Sequence, residues 1–216
     1  WALACQVDDV IEAGLDYAYS PEIGYLTAFP TNAGTGLRAS VMMHLPALVM
    51  TEKINKILSA IGQVGLVARG IYGEGTQAQG SIFQISNQIT LGQSEPEIID
   101  NISGVTKQII EQERAARRAL QNAAAIDLHD RVARACGVLS NARKMSSQEA
   151  MQLLSDLRLG LSLQLVSGLD HAAVDEMLVI THPAWLTHEA GRDLDPNERD
   201  TRRAGAIRER MAGVKC

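Results

Sequence analysis

The sequence predicts an α+β fold in which a mixed region of strands and helices is followed by a helical module. Before residue 92, glycine and β-branched residues are frequent, and two short runs have the composition of strands. After residue 92, helix-capping residues precede long runs in which apolar residues recur at helical spacing. Because 46% of the 216 residues are hydrophobic, the chain can bury a sizeable core.

Two helices and two strands are predicted in the first part of the chain. Apolar residues recur at helical spacing at Leu3, Val7, Val10, Ile11 and Leu15, and again at Ile54, Ile57, Leu58 and Ile61. Residues 65–72 (GLVARGIY) and 81–87 (SIFQISN) have the pattern of strands. The glycine-rich GEGTQAQG between them predicts a loop.

Three helix starts in the second part are marked by a capping residue with glutamate three positions later. The pairs are Ser94 with Glu97, Ser146 with Glu149, and Asp195 with Glu198. Pro196 supports the last start, because proline is favoured at the first helical position, and a helix is predicted over residues 197–211. The charged run EQERAARRA, residues 111–119, predicts a solvated helical face, with contact to a partner as the alternative.

Composition and charge disfavour several classes of function. The net charge of −5 is spread along the chain, so no basic surface for nucleic acid is expected. No apolar run approaches the roughly 20 residues needed to cross a membrane. The cysteines Cys5, Cys136 and Cys216 lack CxxC spacing, which indicates neither a disulfide framework nor a zinc site, and a reducing cytoplasm is expected. Trp1 falls inside a helical pattern, so we expect a fragment whose N-terminal portion is missing.

The stretch PTNAGTGLRASV has the composition of a phosphate-binding loop. Gly34 and Gly36 flank Thr35, which would let backbone amides face a ligand, and Arg38 follows closely. The spacing is neither GxxxxGK[ST] nor GxGxxG, so the two common nucleotide loops are excluded. An ordinary turn between two strands remains the alternative.

Taken together, several stretches resemble the phosphagen (guanidino) kinase family. PTNAGTGLRASV, LPAL and RGIYGEGTQAQGSIFQISNQITLG follow one another in family order, while EQERAAR and RDTRRA resemble the bacterial protein arginine kinase branch. The resemblance implies that residues 1–125 are the C-terminal part of an ATP:guanidino phosphotransferase catalytic domain, with an antiparallel sheet flanked by helices. Residues 126–216 would then be a helical phosphoarginine-binding module.

The resemblance also implies a nucleotide site. Arg38 and Arg69 would clamp ATP phosphates, assisted by the amides around Thr35 and Gly36, because guanidinium groups match phosphate oxygens. Mg²⁺ would bind mainly through ATP oxygens and water, so no protein metal site is expected. Glu74, between two glycines, would orient the acceptor guanidinium and accept its proton.

Phe29 departs from the family pattern. Most members carry cysteine at this position, where a thiolate can favour the charge of the reacting guanidinium. Phenylalanine supplies no anion. The implied function is a kinase that transfers the ATP γ-phosphoryl group to arginine side chains of proteins, and the alternative is a non-catalytic module that binds nucleotide or phosphoarginine.

The RDTRRA segment implies a second binding function. Arg199, Asp200 and Arg203 would bind phosphoarginine, with arginine on the phosphoryl oxygens and aspartate on the guanidinium nitrogens. A charged surface helix is the alternative. For the whole protein, the resemblance implies a cytoplasmic stress-response kinase that marks proteins for degradation. Its implied partners are substrate proteins with exposed arginine, a repressor, an unfoldase–protease system and a second copy of the chain.

Overall fold

Five short strands and nine helices make up the regular structure of residues 1–70 and 79–216, the part of the chain that the computed structural model describes. The strands are β1 (Tyr19–Ser20), β2 (Gly24–Tyr25), β3 (Ser40–His44), β4 (Leu66–Gly70) and β5 (Ile82–Asn87). The helices are α1 (Ala2–Glu12), α2 (Pro46–Met50), α3 (Ile54–Gln63), α4 (Glu95–Ala123), α5 (Ala125–Asn141), α6 (Ser147–Ser162), α7 (His171–Ile180), α8 (Pro183–Ala190) and α9 (Pro196–Arg210).

The main sheet has three strands in the order β3-β5-β4, and β1 pairs with β2 in a separate antiparallel ribbon. Strand β4 runs antiparallel to β5, with Arg69 opposite Gln84 and Leu66 opposite Asn87. The strand predicted over residues 81–87 is confirmed as β5, and that predicted over residues 65–72 is confirmed from Leu66 to Gly70. Residues 71–72 and most of the predicted GEGTQAQG loop lie outside the described residues. Strand β5 is central and therefore has a neighbouring strand along each edge, and its Ser86 is fully buried.

The chain divides into two packed units. The first contains α1, β1, β2, most of the main sheet, α3 and the part of α4 that ends at Gln112. The second contains α2, the 3-10 turn before β5, and all residues from Glu113 to Cys216. The boundary predicted after residue 125 remains a prediction. No helix in the described part of the chain combines the length and apolarity needed to span a membrane.

In the first unit, α3 packs on β4 and buries its isoleucine face. Helix α4 buries Ile98, Ile102 and Ile109, which recur at helical spacing. Helix α1 also forms where predicted, but none of its residues is buried.

The second unit has a continuous apolar core between α5, α6, α7 and α9, which includes Val132, Leu139, Leu154, Leu157, Val174, Met177 and Ile207. Cys136 of this core forms a disulfide with Cys216, although the two are 80 residues apart. The expectation that no disulfide forms is therefore wrong. The C-terminal segment is brought to α5 by tertiary contacts, including two backbone hydrogen bonds of 2.9 Å between Ser167 and Lys215, and spacing along the sequence does not reveal such contacts.

Within the second unit, Glu113 corrects the prediction of a solvated face for EQERAARRA. Its side chain is buried and accepts hydrogen bonds from the backbone amides of Ala47 (3.1 Å) and Leu48 (3.0 Å). Those amides belong to the first turn of α2, whose N–H groups have no partner within the helix. Arg117, one turn along α4, donates to the same carboxylate at 2.7 Å. Glu113 therefore caps a helix 65 residues earlier in the chain.

Candidate functional site

The loop before β3 begins at Phe29, whose side chain is 70% exposed. Pro30–Asn32 forms a 3-10 turn in which the amide of Asn32 donates to the Phe29 carbonyl at 2.9 Å. The hydroxyl of Thr27 donates to the same carbonyl at 2.6 Å. The position at which the family pattern has cysteine is thus a well-defined helix start that presents its side chain to solvent.

Gly34 is required by a close approach of two backbone segments. Its φ is +104°, and a Cβ there would lie 2.3 Å from the carbonyl oxygen of Thr90. Its amide and carbonyl both pair with Tyr25, at 3.1 and 2.7 Å. Gly34 therefore fixes the loop against its own unit.

Thr35 is engaged within the loop. Its amide donates to the carbonyl of Thr90 at 2.9 Å, and its hydroxyl accepts from the amide of Leu37 at 3.2 Å. Gly36, with φ +62°, is exposed, and in the part of the chain that the structure describes its amide makes no hydrogen bond. Of the two predicted phosphate-binding amides, Gly36 is the better placed for a ligand, since that of Thr35 already has a partner.

Two buried polar residues, the last residue of β5 and one three positions later, brace this loop, and sequence reasoning missed both. Asn87 accepts from the amide of Ala39 at 2.8 Å and donates to the carbonyls of Leu37 (3.0 Å) and Ile89 (3.1 Å). The hydroxyl of Thr90 lies 2.9 and 2.8 Å from the carbonyls of Thr31 and Ala33. The available signal was the run SNQIT, in which polar residues end a strand that is otherwise apolar.

The two predicted arginines lie at or near the strands that flank β5. Arg38 is exposed and lies two residues before β3, whereas Arg69 is half-buried on β4. Glu74 lies outside the described residues. Among the residues described, no group of three or more histidine, cysteine, aspartate or glutamate side chains is placed to hold a metal ion.

A cavity of about 560 Å³ opens beside the loop in the first unit. Thr35 and Gly36 line it together with the aromatic rings of Tyr17 and Tyr25 and the carboxylate of Glu95. Carboxylates repel phosphate oxygens but accept hydrogen bonds from hydroxyl and amino groups. Since Asp8 and Asp9 also line the cavity, it suits hydroxyl or amino groups better than the phosphates of a nucleotide, and Arg38 is not part of its lining.

The second predicted site lies on α9, which starts as the sequence indicated. The amide of Glu198 donates to Asp195 at 3.0 Å, and the Glu198 carboxylate accepts from the Asp195 amide at 3.4 Å, so the capping box is confirmed. Arg192 donates to the Glu198 carboxylate at 2.6 Å, which lowers the pKa of that carboxyl group. Arg199 and Asp200 follow on the first turn and are partly exposed.

Arg203 is buried beneath Asp200. Its guanidinium donates to the carbonyls of Thr181 and Met145, both at 2.9 Å, and to the Asp200 carboxylate at 2.6 Å. The amide of Met145 in turn donates to the carbonyl of Asp200 at 3.1 Å. Arg199 and Asp200 are thus accessible to a ligand, whereas Arg203 is committed to internal partners and fixes Asp200.

Both parts of the chain match known family models. Residues 1–116 match ATP:guanido phosphotransferase, C-terminal catalytic domain, and residues 125–215 match Protein-arginine kinase McsB C-terminal domain. The crystal structure of lombricine kinase is a structural neighbour with a TM-score of 0.45 and 34% identity, over 55% of this chain and 32% of that one.

Curated relatives align with nearly the whole chain. Protein-arginine kinase of Moorella thermoacetica is 55% identical over 213 residues, which are 99% of this chain and 61% of that protein. Protein-arginine kinase of Bacillus subtilis is 56% identical over 208 residues, 96% of this chain and 57% of that protein. The chain therefore spans about three fifths of the length of these relatives.

Proposed function

The chain belongs to the ATP:guanido phosphotransferase family, and on that premise we propose that it forms part of a protein-arginine kinase. The reaction would transfer the γ-phosphoryl group of ATP to an arginine side chain of a protein, giving phosphoarginine and ADP. The observation that carries the proposal is an exposed arginine, Arg38, on a loop held by hydrogen bonds to the buried side chain of Asn87. Phosphoryl transfer depends on positioning and charge neutralisation, which such an arrangement supplies.

In this proposal the chain's own residues bind and orient the nucleotide. Arg38 and Arg69 would form charge-assisted hydrogen bonds with phosphate oxygens, and the exposed Gly36 amide would add a donor. Mg²⁺ held by the nucleotide would neutralise further phosphate charge. Glu74 would orient the acceptor guanidinium.

Phe29 bears on whether this chain is catalytic. Its exposed ring cannot provide an anion beside the acceptor, so Glu74 would act without help from a thiolate. The competing proposal is a module that binds nucleotide or phosphoarginine without turnover. Formation of acid-labile phosphoarginine on a protein substrate separates the two.

The nucleotide site predicts a specific loss of affinity. Replacing Arg38 with alanine should weaken Mg-ADP binding at least about tenfold, because a hydrogen bond to a charged group contributes about 1.5–3 kcal/mol. Isothermal titration calorimetry of the two proteins measures the change. Arg134→Ala is the control, since Arg134 is an exposed residue of α5 paired with Asp130. Equal affinities of Arg38→Ala and wild type would contradict the proposed site.

A second function is favoured by the arrangement on α9 and by the family model that matches residues 125–215. We propose that Arg199 and Asp200 contact phosphoarginine, while Arg203 acts through Asp200. This site would let the protein recognise its own product on other chains.

Arg199→Ala should therefore weaken phosphoarginine binding about tenfold, through loss of a charge-assisted bond, and leave Mg-ADP affinity unchanged. Arg202→Ala provides the control, since Arg202 is an exposed residue of the same helix. Titration with free phosphoarginine measures both. If the two variants bind phosphoarginine as the wild type does, α9 is a charged surface helix and the second function is withdrawn.

Family membership also supports a proposal about the substrates, partners and assembly of the whole protein. Its substrates would be bacterial cytoplasmic proteins with exposed arginine, a repressor among them, and the modified proteins would be passed to an unfoldase–protease system. A homodimer is the proposed assembly.

A further inference from the structure

We propose that Asn87 is the positioning residue that directs Arg38 toward the nucleotide. The inference rests on the proposed function, because it assigns how one of that site's residues is held. Asn87 lies at the end of the central strand β5, opposite Leu66 of β4, and is 7% exposed. It would contact neither nucleotide nor acceptor and would act only through Arg38.

The carboxamide of Asn87 bonds to the two peptide groups that flank Arg38. The carbonyl of Leu37, which accepts from its Nδ2 at 3.0 Å, belongs to the peptide group before Arg38. The amide of Ala39, which donates to its Oδ1 at 2.8 Å, belongs to the peptide group after it. Because φ and ψ are the rotations between these two planes, fixing both planes fixes the direction in which the Arg38 side chain leaves the backbone.

Backbone contacts strengthen the same arrangement. The amide of Asn87 donates to the carbonyl of Ala39 at 3.3 Å, so Ala39 is bound through both its polar groups. The second Nδ2 hydrogen of Asn87 is used by the carbonyl of Ile89 at 3.1 Å. A central strand is a rigid support, and an exposed arginine with a long side chain benefits most from a fixed starting direction.

The pattern of bonds requires an amide side chain. Asparagine offers an acceptor and two donors in one plane, which are the groups that Ala39, Leu37 and Ile89 need. Aspartate would keep the acceptor but place an anion against two carbonyl oxygens. Alanine would leave all three backbone groups without this partner at a partly buried site.

The rest of the loop is braced independently of Asn87. The backbone carbonyl of Thr90 accepts a hydrogen bond from the amide of Thr35. The hydroxyl of Thr90 lies within hydrogen-bond distance of the carbonyls of Thr31 and Ala33. Losing the Asn87 side chain therefore frees the segment around Arg38 and leaves the turn at Gly34 in place. The effect on nucleotide binding should be confined to what Arg38 contributes.

A double-mutant cycle tests this dependence. Mg-ADP affinity is measured by calorimetry for wild type, Asn87→Ala, Arg38→Ala and the double variant. We expect Asn87→Ala to weaken binding about tenfold in the wild-type background and less than about twofold when Arg38 is already alanine. Asn101→Ala is the matched control, since Asn101 of the same unit also donates to a backbone carbonyl, that of Val64 at 3.2 Å.

Each outcome decides between the positioning role and its alternatives. Equal losses in both backgrounds would show a general structural effect and overturn the inference. Normal binding by Asn87→Ala, with Arg38→Ala impaired, would overturn it while the proposed function stands. If the wild type does not bind Mg-ADP, the nucleotide site and the inference fail together. Circular dichroism checks folding, and Asn87→Asp, which keeps the side-chain size, replaces Asn87→Ala in the cycle if the alanine variant does not fold.

Discussion

Replacing Arg203 with methionine should lower the free energy of unfolding of the second unit by about 3–5 kcal/mol. Methionine nearly fills the volume but donates no hydrogen bonds. The carbonyls of Thr181 and Met145 would lose buried donors, and Asp200 would lose its ion partner. Each unsatisfied buried polar group costs about 1–3 kcal/mol, so the loss is large for one substitution.

Urea denaturation followed by circular dichroism measures this change, with Arg202→Met as the matched control. Arg202 is the neighbouring residue of α9 and is exposed, so its replacement should alter the free energy of unfolding by less than about 0.5 kcal/mol. If the two variants are equally stable, Arg203 is not the buried support that the structure indicates. Titration of the folded Arg203→Met variant with phosphoarginine then shows whether ligand binding by Asp200 depends on Arg203.

The contrast between Arg202 and Arg203 shows where sequence reasoning succeeded and where it could not. The start of α9 was predicted to within one residue because its signals, Asp195, Pro196 and Glu198, act on their own helical turn. The burial of Arg203 depends on hydrogen bonds to the carbonyls of Thr181 and Met145, which only the tertiary fold brings next to its guanidinium. Nothing in the local pattern RDTRRA separates the buried arginine from its exposed neighbours.

The candidate nucleotide site likewise combines residues that the local sequence indicated with residues that only the tertiary fold brings together. The loop, its glycines and Arg38 were proposed as phosphate-binding from a contiguous stretch with a distinctive composition. The residues that hold it were not identified, since Asn87 bonds to Ala39 across 48 positions of the chain. Glu113 was misassigned for a related reason, because a carboxylate on a charged helix gives no sign that it caps a distant helix.

The stability of the second unit should fall on acidification because of His44. The Nε2 of this imidazole shares a hydrogen bond of 2.8 Å with the hydroxyl oxygen of Ser155. Its Nδ1 is buried and has no hydrogen-bond partner in the described part of the chain. Burial, together with the positive charges of Arg158 and Arg117, lowers the pKa of His44 to about 3, although Asp175 opposes the shift. The folded protein therefore holds His44 neutral.

The sign of the effect follows from proton binding. In the unfolded chain a histidine has a pKa of about 6.5, so between that value and about 3 the unfolded state binds a proton that the folded state does not. The contribution of His44 to stability is fully present above pH of about 6.5 and falls as the pH falls, by up to about 1.4 kcal/mol per pH unit. At pH of about 4 the loss should reach about 3 kcal/mol.

Chemical denaturation of wild type and His44→Gln between pH 7 and 4, with about one measurement per half pH unit, isolates this contribution from that of the carboxylates. The difference between the two proteins in free energy of unfolding should shrink or reverse toward low pH, because glutamine has no proton to gain. His129→Gln, at an exposed position of α5, should keep the wild-type profile. Parallel profiles for wild type and His44→Gln would mean that His44 protonates in the folded protein as easily as in the unfolded chain.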